Sequence, residues 1–327
     1  MGKDFLTYNQ QMRYLRNNKK IDCQGSKHKE ILITNGYFNL VNGYKDPFTI
    51  AKDAQGHRTY VSGTTLDEIY ALKSFDDELR LLLFKYISRI ESEIKALSAY
   101  CFDDENKGNS LAWYNVEAYD TSKSMTKIVS LISKIYSEVS RSQHSYVKNY
   151  LDNYNLIPTW IMIKVISFSN TIDFIDCTPV IIKNNLCELY SMKKRDETYD
   201  YQLLIGSLQW LRKIRNACAH NERAYDICLK NQRIKNIQFD LMSPSYNKNQ
   251  NKDKRIVDAI IYFKYLLKAD SFEAFISALK SLLLELKQTL QEQSFSRVRA
   301  AMGIKDLKHL DLVLDKPKDI RYNKFRN

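Results

Sequence analysis

Three observations predict an all-α protein. Glycine (9) and proline (5) are scarce among the 327 residues, too few for the tight turns of an all-β chain. Long stretches rich in Leu, Ile, Lys and Glu run with few breakers. Within 78–100, Leu79, Leu83, Ile87, Ile90, Ile94 and Leu97 return every third or fourth residue, the period of a helix with one apolar face.

Each element can be justified in order. Thr7 is an N-cap candidate for a first helix reaching about Asn17. Residues 26–48 begin as helix and break at Gly36, Gly43 and Pro47. Residues 49–63 read as an ordered loop or short hairpin, and after Thr64–Thr65 a long helical stretch takes in 78–100. A further amphipathic helix is predicted over 121–152, with Ile128, Leu131, Ile132, Ile135 and Val139 on one side. Pro158 suits the first turn of a helix over 158–175, and Pro179 opens another. A helix over 199–224 follows, then a polar loop or linker at 241–254. Helices near 255–269 and 271–292 precede a basic tail ending KPKDIRYNKFRN. No internal repeat is visible. The expected organisation is an N-terminal helical and loop element (1–70), a helical core (71–224) and C-terminal helices with the tail (225–327), together one compact unit.

The net charge of +12 suits a polyanionic partner, although a Lys- and Asn-heavy genome would give the same excess. The basic segments at 227–255 and from Arg297 onward are candidates for tracking phosphates, or simply solvated. Six scattered cysteines show no CxxC pair and no zinc spacing. His28, His57, His144 and His309 lie far apart, without carboxylates or thiols at ligand spacing, so no metal and no cofactor is expected. The start MGKDFL lacks a signal-peptide core and fails the myristoylation pattern at Leu6. The most apolar run, 160–168, is too short to span a bilayer. A reduced, cytoplasmic protein is the expectation. Phosphate-loop, dinucleotide and nucleophile-elbow motifs are absent, which leaves NTPase, Rossmann and α/β-hydrolase readings unsupported.

The chemistry concentrates in LRKIRNACAHNERAY, residues 211–225. On a helix starting at 204, with Arg215 set to zero, Arg223 falls at about 80°, Asn216 at about 100° and His220 at about 140°. Gln209 and Arg212 share that arc, while Trp210, Leu211, Ile214, Ala217, Cys218 and Tyr225 take the other side. Such a polar face is most often just solvated. Asn216 is nevertheless a poor choice for an exposed helix interior, and small Ala219 lets another surface come close. The set suits RNA cleavage by the substrate's own 2′-hydroxyl. A histidine can take or give a proton, which suits His220; Arg215 can neutralise a phosphorane, and Asn216 can orient the phosphate or the imidazole. The nucleophile is already in the substrate, so the reaction requires no metal. A second histidine would come from a symmetric dimer.

RNACAH (215–220) resembles the Arg-x4-His motif of the HEPN superfamily, and its flanks resemble the signature of the abortive-infection Abi family, especially AbiD/AbiF-like proteins. NGYFNLVNGYKDPF (35–48), ISRIESEIKALSAY (87–100) and IPTWIMIKVISFSNTIDF (157–174) resemble other segments of that family, in the same order, over roughly residues 5–300. The resemblance implies a HEPN-like helical bundle in a bacterial antiphage or toxin-like protein, one that cleaves RNA without metal as a homodimer and leaves 2′,3′-cyclic phosphate ends. It places Arg215 and His220 at the catalytic pair and Asn216 at the polar position beside it, with Arg223 just beyond. It also implies a small structured RNA as a restraining partner. Glu91 falls where the family has a polar residue facing the histidine, although with Lys95 it also makes an ordinary i,i+4 pair. Tyr37, Asn39, Tyr44 and Lys45 could touch RNA together with Arg212, but Gly43 and Pro47 more plainly mark a fixed turn. The alternative is a non-catalytic RNA-binding regulator. A DNA-binding reading has no helix-turn-helix signature behind it.

Overall fold

Threonine opens the first helix as the sequence predicts. The computed structural model describes residues 5–52, 58–194, 196–230 and 253–314. Helix α1 (Tyr8–Lys19) starts from a capping box in which the Thr7 hydroxyl accepts from Gln10 N and Gln10 Oε1 accepts from Thr7 N. Helix α2 (Gly25–Asn35) ends at Gly36, whose φ of 71° suits glycine alone. A π-helical turn (Phe38–Asn42) and a 3-10 turn (Asp46–Phe48) lead into a hairpin of β1 (Thr49–Lys52) and β2 (Arg58–Tyr60), with Thr49 opposite Tyr60. These two antiparallel strands form the one sheet among the described residues, so the fold is all-α.

Helix α3 (Leu66–Glu105) is the axis of the molecule. Its 40 residues span about 60 Å, and a second capping box, between Thr65 and Glu68, begins it. The expected division at residue 70 therefore falls inside this helix. Leu79, Leu83, Ile87, Ile90 and Ile94 are all buried, as their spacing predicts, and each such side chain contributes about 1.5–3 kcal/mol on leaving water.

Two long predicted helices are each broken in two. The stretch 121–152 is α4 (Met125–Ser140) and α5 (Ser145–Tyr154). Between them Ser142 Oγ accepts the His144 N–H, a local bond that competes with the helix. The stretch 158–175 is α6 (Thr159–Val165) and α7 (Phe168–Cys177). Ser167 divides them: its hydroxyl caps Asn170 N and its own N–H goes to Glu138 at 2.7 Å. Pro158 and Pro179 stand at N-cap positions, one residue before the first turn, ahead of α6 and α8 (Val180–Leu189).

Helices α9 (Tyr201–Ala219), α10 (Ile256–Leu266) and α11 (Ala269–Thr289) complete the core, with α3 packed on α6, α8, α9 and α11. The stretch expected as a basic tail holds two more helices, α12 (Glu292–Met302) and α13 (Lys308–Val313). Arg297 there is a tether, since it donates to Pro47 O at 3.1 Å and Thr49 O at 2.7 Å. The linker expected at 241–254 lies outside the described residues except for Asp253 and Lys254, as do most of the basic segment 227–255, His57 and KPKDIRYNKFRN. Among the described residues no helix is long and apolar enough to cross a membrane.

Candidate functional site

The motif helix α9 begins with Asp200, whose carboxylate accepts from Leu203 N at 2.9 Å. Its face of Leu204, Leu208, Leu211, Ile214 and Cys218 is buried, and Asn216, Ala219 and His220 are exposed. The helix stops earlier than the sequence predicts. His220 is the C-cap, and Asn221 takes a left-handed φ of 56°. Glu222 N then bonds Ala217 O at 2.9 Å, and Asn221 N bonds Cys218 O at 3.3 Å, the two bonds of a Schellman motif. Arg223 and Tyr225 therefore leave the helical wheel on which the sequence places them.

Arg215 is half-buried against α3. Its Nε lies 3.6 Å from Glu91 Oε2, its guanidinium sits 5.9 Å from the Phe84 ring, and Nη1 donates to Asn216 Oδ1 at 3.3 Å. Nε itself has no hydrogen-bond partner. Glu91 also pairs with Lys95 at 3.1 Å, so this carboxylate meets two cations. His220 projects from the helix end with no side-chain hydrogen bond among the described residues.

Beyond the helix the chain docks onto α3 through Asp76, a fully buried carboxylate. It accepts from Ala224 N at 3.1 Å, Tyr225 N at 2.8 Å, the Tyr44 hydroxyl at 2.9 Å and Arg80 at 2.8 Å. The Tyr44 and Tyr225 rings stack at 6.2 Å. Arg223 donates to Gly43 O and pairs with Asp226 at 3.1 Å and Asp46 at 3.7 Å. The turn at 43–46 and the end of the motif are thus fastened to each other. Sequence reasoning passed over Asp76, although the signal was present: a carboxylate on the Leu72, Leu79, Leu83 face of a helix has to find buried donors.

Two clefts flank this structure. The first, about 860 Å³, lies between α3 and α6 and includes Glu91, Lys95 and Arg215. The second, about 820 Å³, lies between the 34–44 segment, α3 and the end of α9, and includes Asn39, Tyr44, Ala219, Asn221 and Arg223. Asn39 is exposed at its edge. Tyr44 is buried, and burial pushes its phenol well above the usual tyrosine range, so its hydroxyl serves Asp76. Tyr37, Lys45 and Arg212 line neither cleft. Tyr37 is half-buried, Lys45 Nζ reaches Asn42 Oδ1 at 3.4 Å, and Arg212 donates to Ser169 at 2.9 Å on the side of α7. No group of three or more His, Cys, Asp or Glu side chains among the described residues could hold a metal ion. None of the six cysteines forms a disulfide, and burial pushes the Cys218 thiol up to about 12.

A family model described as Abi-like protein matches residues 30–226, more than half of the chain and the span that holds both clefts and the whole motif. Neither the curated proteins nor the solved structures give a match.

Proposed function

The chain belongs to the Abi-like protein family, and on that premise we propose that it is an abortive-infection effector of HEPN type that cleaves RNA without a metal ion. The end of α9 carries the proposal. An exposed histidine sits at the last turn, and one turn earlier an arginine is braced by Glu91, Phe84 and Asn216.

The 2′-hydroxyl of one nucleotide attacks the adjacent phosphorus, forming P–O2′ and breaking P–O5′. The 2′-hydroxyl proton passes to a neutral imidazole, and O5′ takes a proton as it leaves. The products are a 2′,3′-cyclic phosphate and a 5′-hydroxyl. His220 serves as base or acid. Arg215 neutralises charge on the phosphorane, the moment at which a fixed fork is worth most. Asn216 holds that fork through the bond from Nη1. A second copy of the chain supplies the second imidazole, so the active species is a homodimer through the motif face.

The test is cleavage of cellular RNA by the purified protein with and without EDTA, with the ends mapped. EDTA-resistant cuts bearing cyclic phosphates, reduced at least a hundredfold in both His220→Ala and Arg215→Ala, are expected. Tight RNA binding with no cuts, unchanged in His220→Ala, overturns the nuclease in favour of a non-catalytic RNA-binding regulator.

A further inference from the structure

The first cleft has features that the cleavage chemistry leaves unused. Its floor is a row of small α3 side chains, Ser88, Ser92 and Ala96, which lie one turn apart and leave an open channel beside the helix. Next in the same row stands Tyr100, 56 % exposed, and Trp160 of α6 is 51 % exposed on the facing wall. The other two tryptophans, Trp113 and Trp210, are fully buried. Two half-exposed aromatic rings in one groove offer faces on which a base can stack whatever its identity.

Polar atoms that make no hydrogen bond occur along the same channel. Arg215 Nε has only the carboxylate of Glu91 at 3.6 Å, and Asp103 Oδ1 is a buried acceptor with no donor; both residues line the cleft. Burial pushes the Asp103 carboxyl above its ordinary range, opposed by the Thr159 hydroxyl. From Glu91, beside Arg215, to Asp103 the helix advances 12 residues, about 18 Å. Lys164, one turn after Trp160 on α6, adds a cation on the wall.

We propose that this cleft is the strand-binding subsite of the enzyme, holding the one or two unpaired nucleotides next to the scissile phosphate, with a base stacked on Trp160 and Tyr100 and its backbone led to Arg215. The proposal rests on the RNA reading above and narrows the substrate class to single-stranded RNA. A base within a duplex has both faces covered by its neighbours and offers none to Trp160. The base edge meets the Asp103 acceptor, and the phosphate meets the Arg215 fork and Lys164.

Trp160 reports on its own occupancy, because the other two indoles are buried. The experiment titrates the full-length protein with a 2′-O-methyl oligoribonucleotide of mixed sequence, which cannot be cut, and follows tryptophan fluorescence. Saturable quenching is expected, absent in Trp160→Phe although that variant still binds. Binding itself should weaken roughly five- to a hundredfold in Trp160→Ala and in Tyr100→Ala. The matching duplex should quench far less. Equal quenching by duplex overturns the proposal. So does quenching that grows with protein concentration alone, which would assign the cleft to contact between chains. His220→Ala separates the two readings. Quenching kept without cleavage in any variant leaves the subsite standing and removes the nuclease; cleavage without quenching does the reverse.

Discussion

Four donors converge on the buried carboxylate of Asp76, two of them backbone N–H groups just past the motif. Removing the carboxylate leaves the guanidinium of Arg80 with Asp77 alone and leaves Ala224 N, Tyr225 N and the Tyr44 hydroxyl without an acceptor. Asp76→Ala should therefore cost about 3–5 kcal/mol, the range for breaking a buried pair. Tyr44→Phe deletes a single neutral donor and should cost only about 1 kcal/mol. Urea midpoints on the two variants check this order; equal losses would mean that the hub is not centred on Asp76. At this scale the sequence points to the residues proposed to do chemistry and is poorly legible for those that hold them. Arg215, Asn216 and His220 stand out because polar groups on one helical arc make a pattern. Asp76 makes none, since its partners come from residues 44, 224 and 225 and only the fold brings them to it.

At the scale of elements, helix starts were legible where a side chain closes the first turn, at Thr7 and Thr65. Stops were less so. The break between α6 and α7 depends on Ser167, whose N–H goes to Glu138 from α4, a partner that no local reading supplies. Helix α9 stops on Asn221 where glycine is the usual residue, so the wheel ran on to Arg223. Asn221→Gly should keep both stability and cleavage, because glycine takes a positive φ without strain. Asn221→Val should cost about 1–2 kcal/mol and displace His220; thermal melts and cleavage rates on the pair test it. A second inter-element tie sets an acid limit. Lys183 of α8 is buried and pairs at 3.0 Å with Asp120, in the loop before α4. Burial works against the Asp120 charge, but Ser122 and Lys183 outweigh it and hold the carboxyl at about 2, below its ordinary 3.8. The folded value is the depressed one, so the tie is at full strength above about pH 4 and is lost as pH falls through about 2. Asp120→Asn should flatten that stretch of the stability curve, and urea midpoints from pH 5 down to 2 measure it. A variant curve parallel to wild type would exclude the tie.

For the whole molecule, a net charge of +12 coexists with exposed apolar side chains beside the motif. Phe38 is 74 % exposed and Leu81 65 %, and both line the second cleft with Phe84, next to Ala219 and Asn221. Apolar side chains gathered around one cleft mark a contact surface more often than a solvated one. A second copy of the chain fits the chemistry, because one motif brings one histidine and the cleavage step moves two protons. The first cleft lies beyond Arg215, between α3 and α6, and shares no lining residue with the second. Leu81→Asp should therefore reduce the mass seen by light scattering from dimer to monomer and abolish cleavage, yet leave Trp160 quenching intact. Mixed dimers test whether the two chains share one site. Wild type and His220→Ala co-expressed in equal amounts pair at random, so if both imidazoles are required only wild-type pairs cut, and activity falls to about a quarter of the all-wild-type level. If each chain acts alone, about a half remains. A half would rule out the composite site even where the dimer itself is sound.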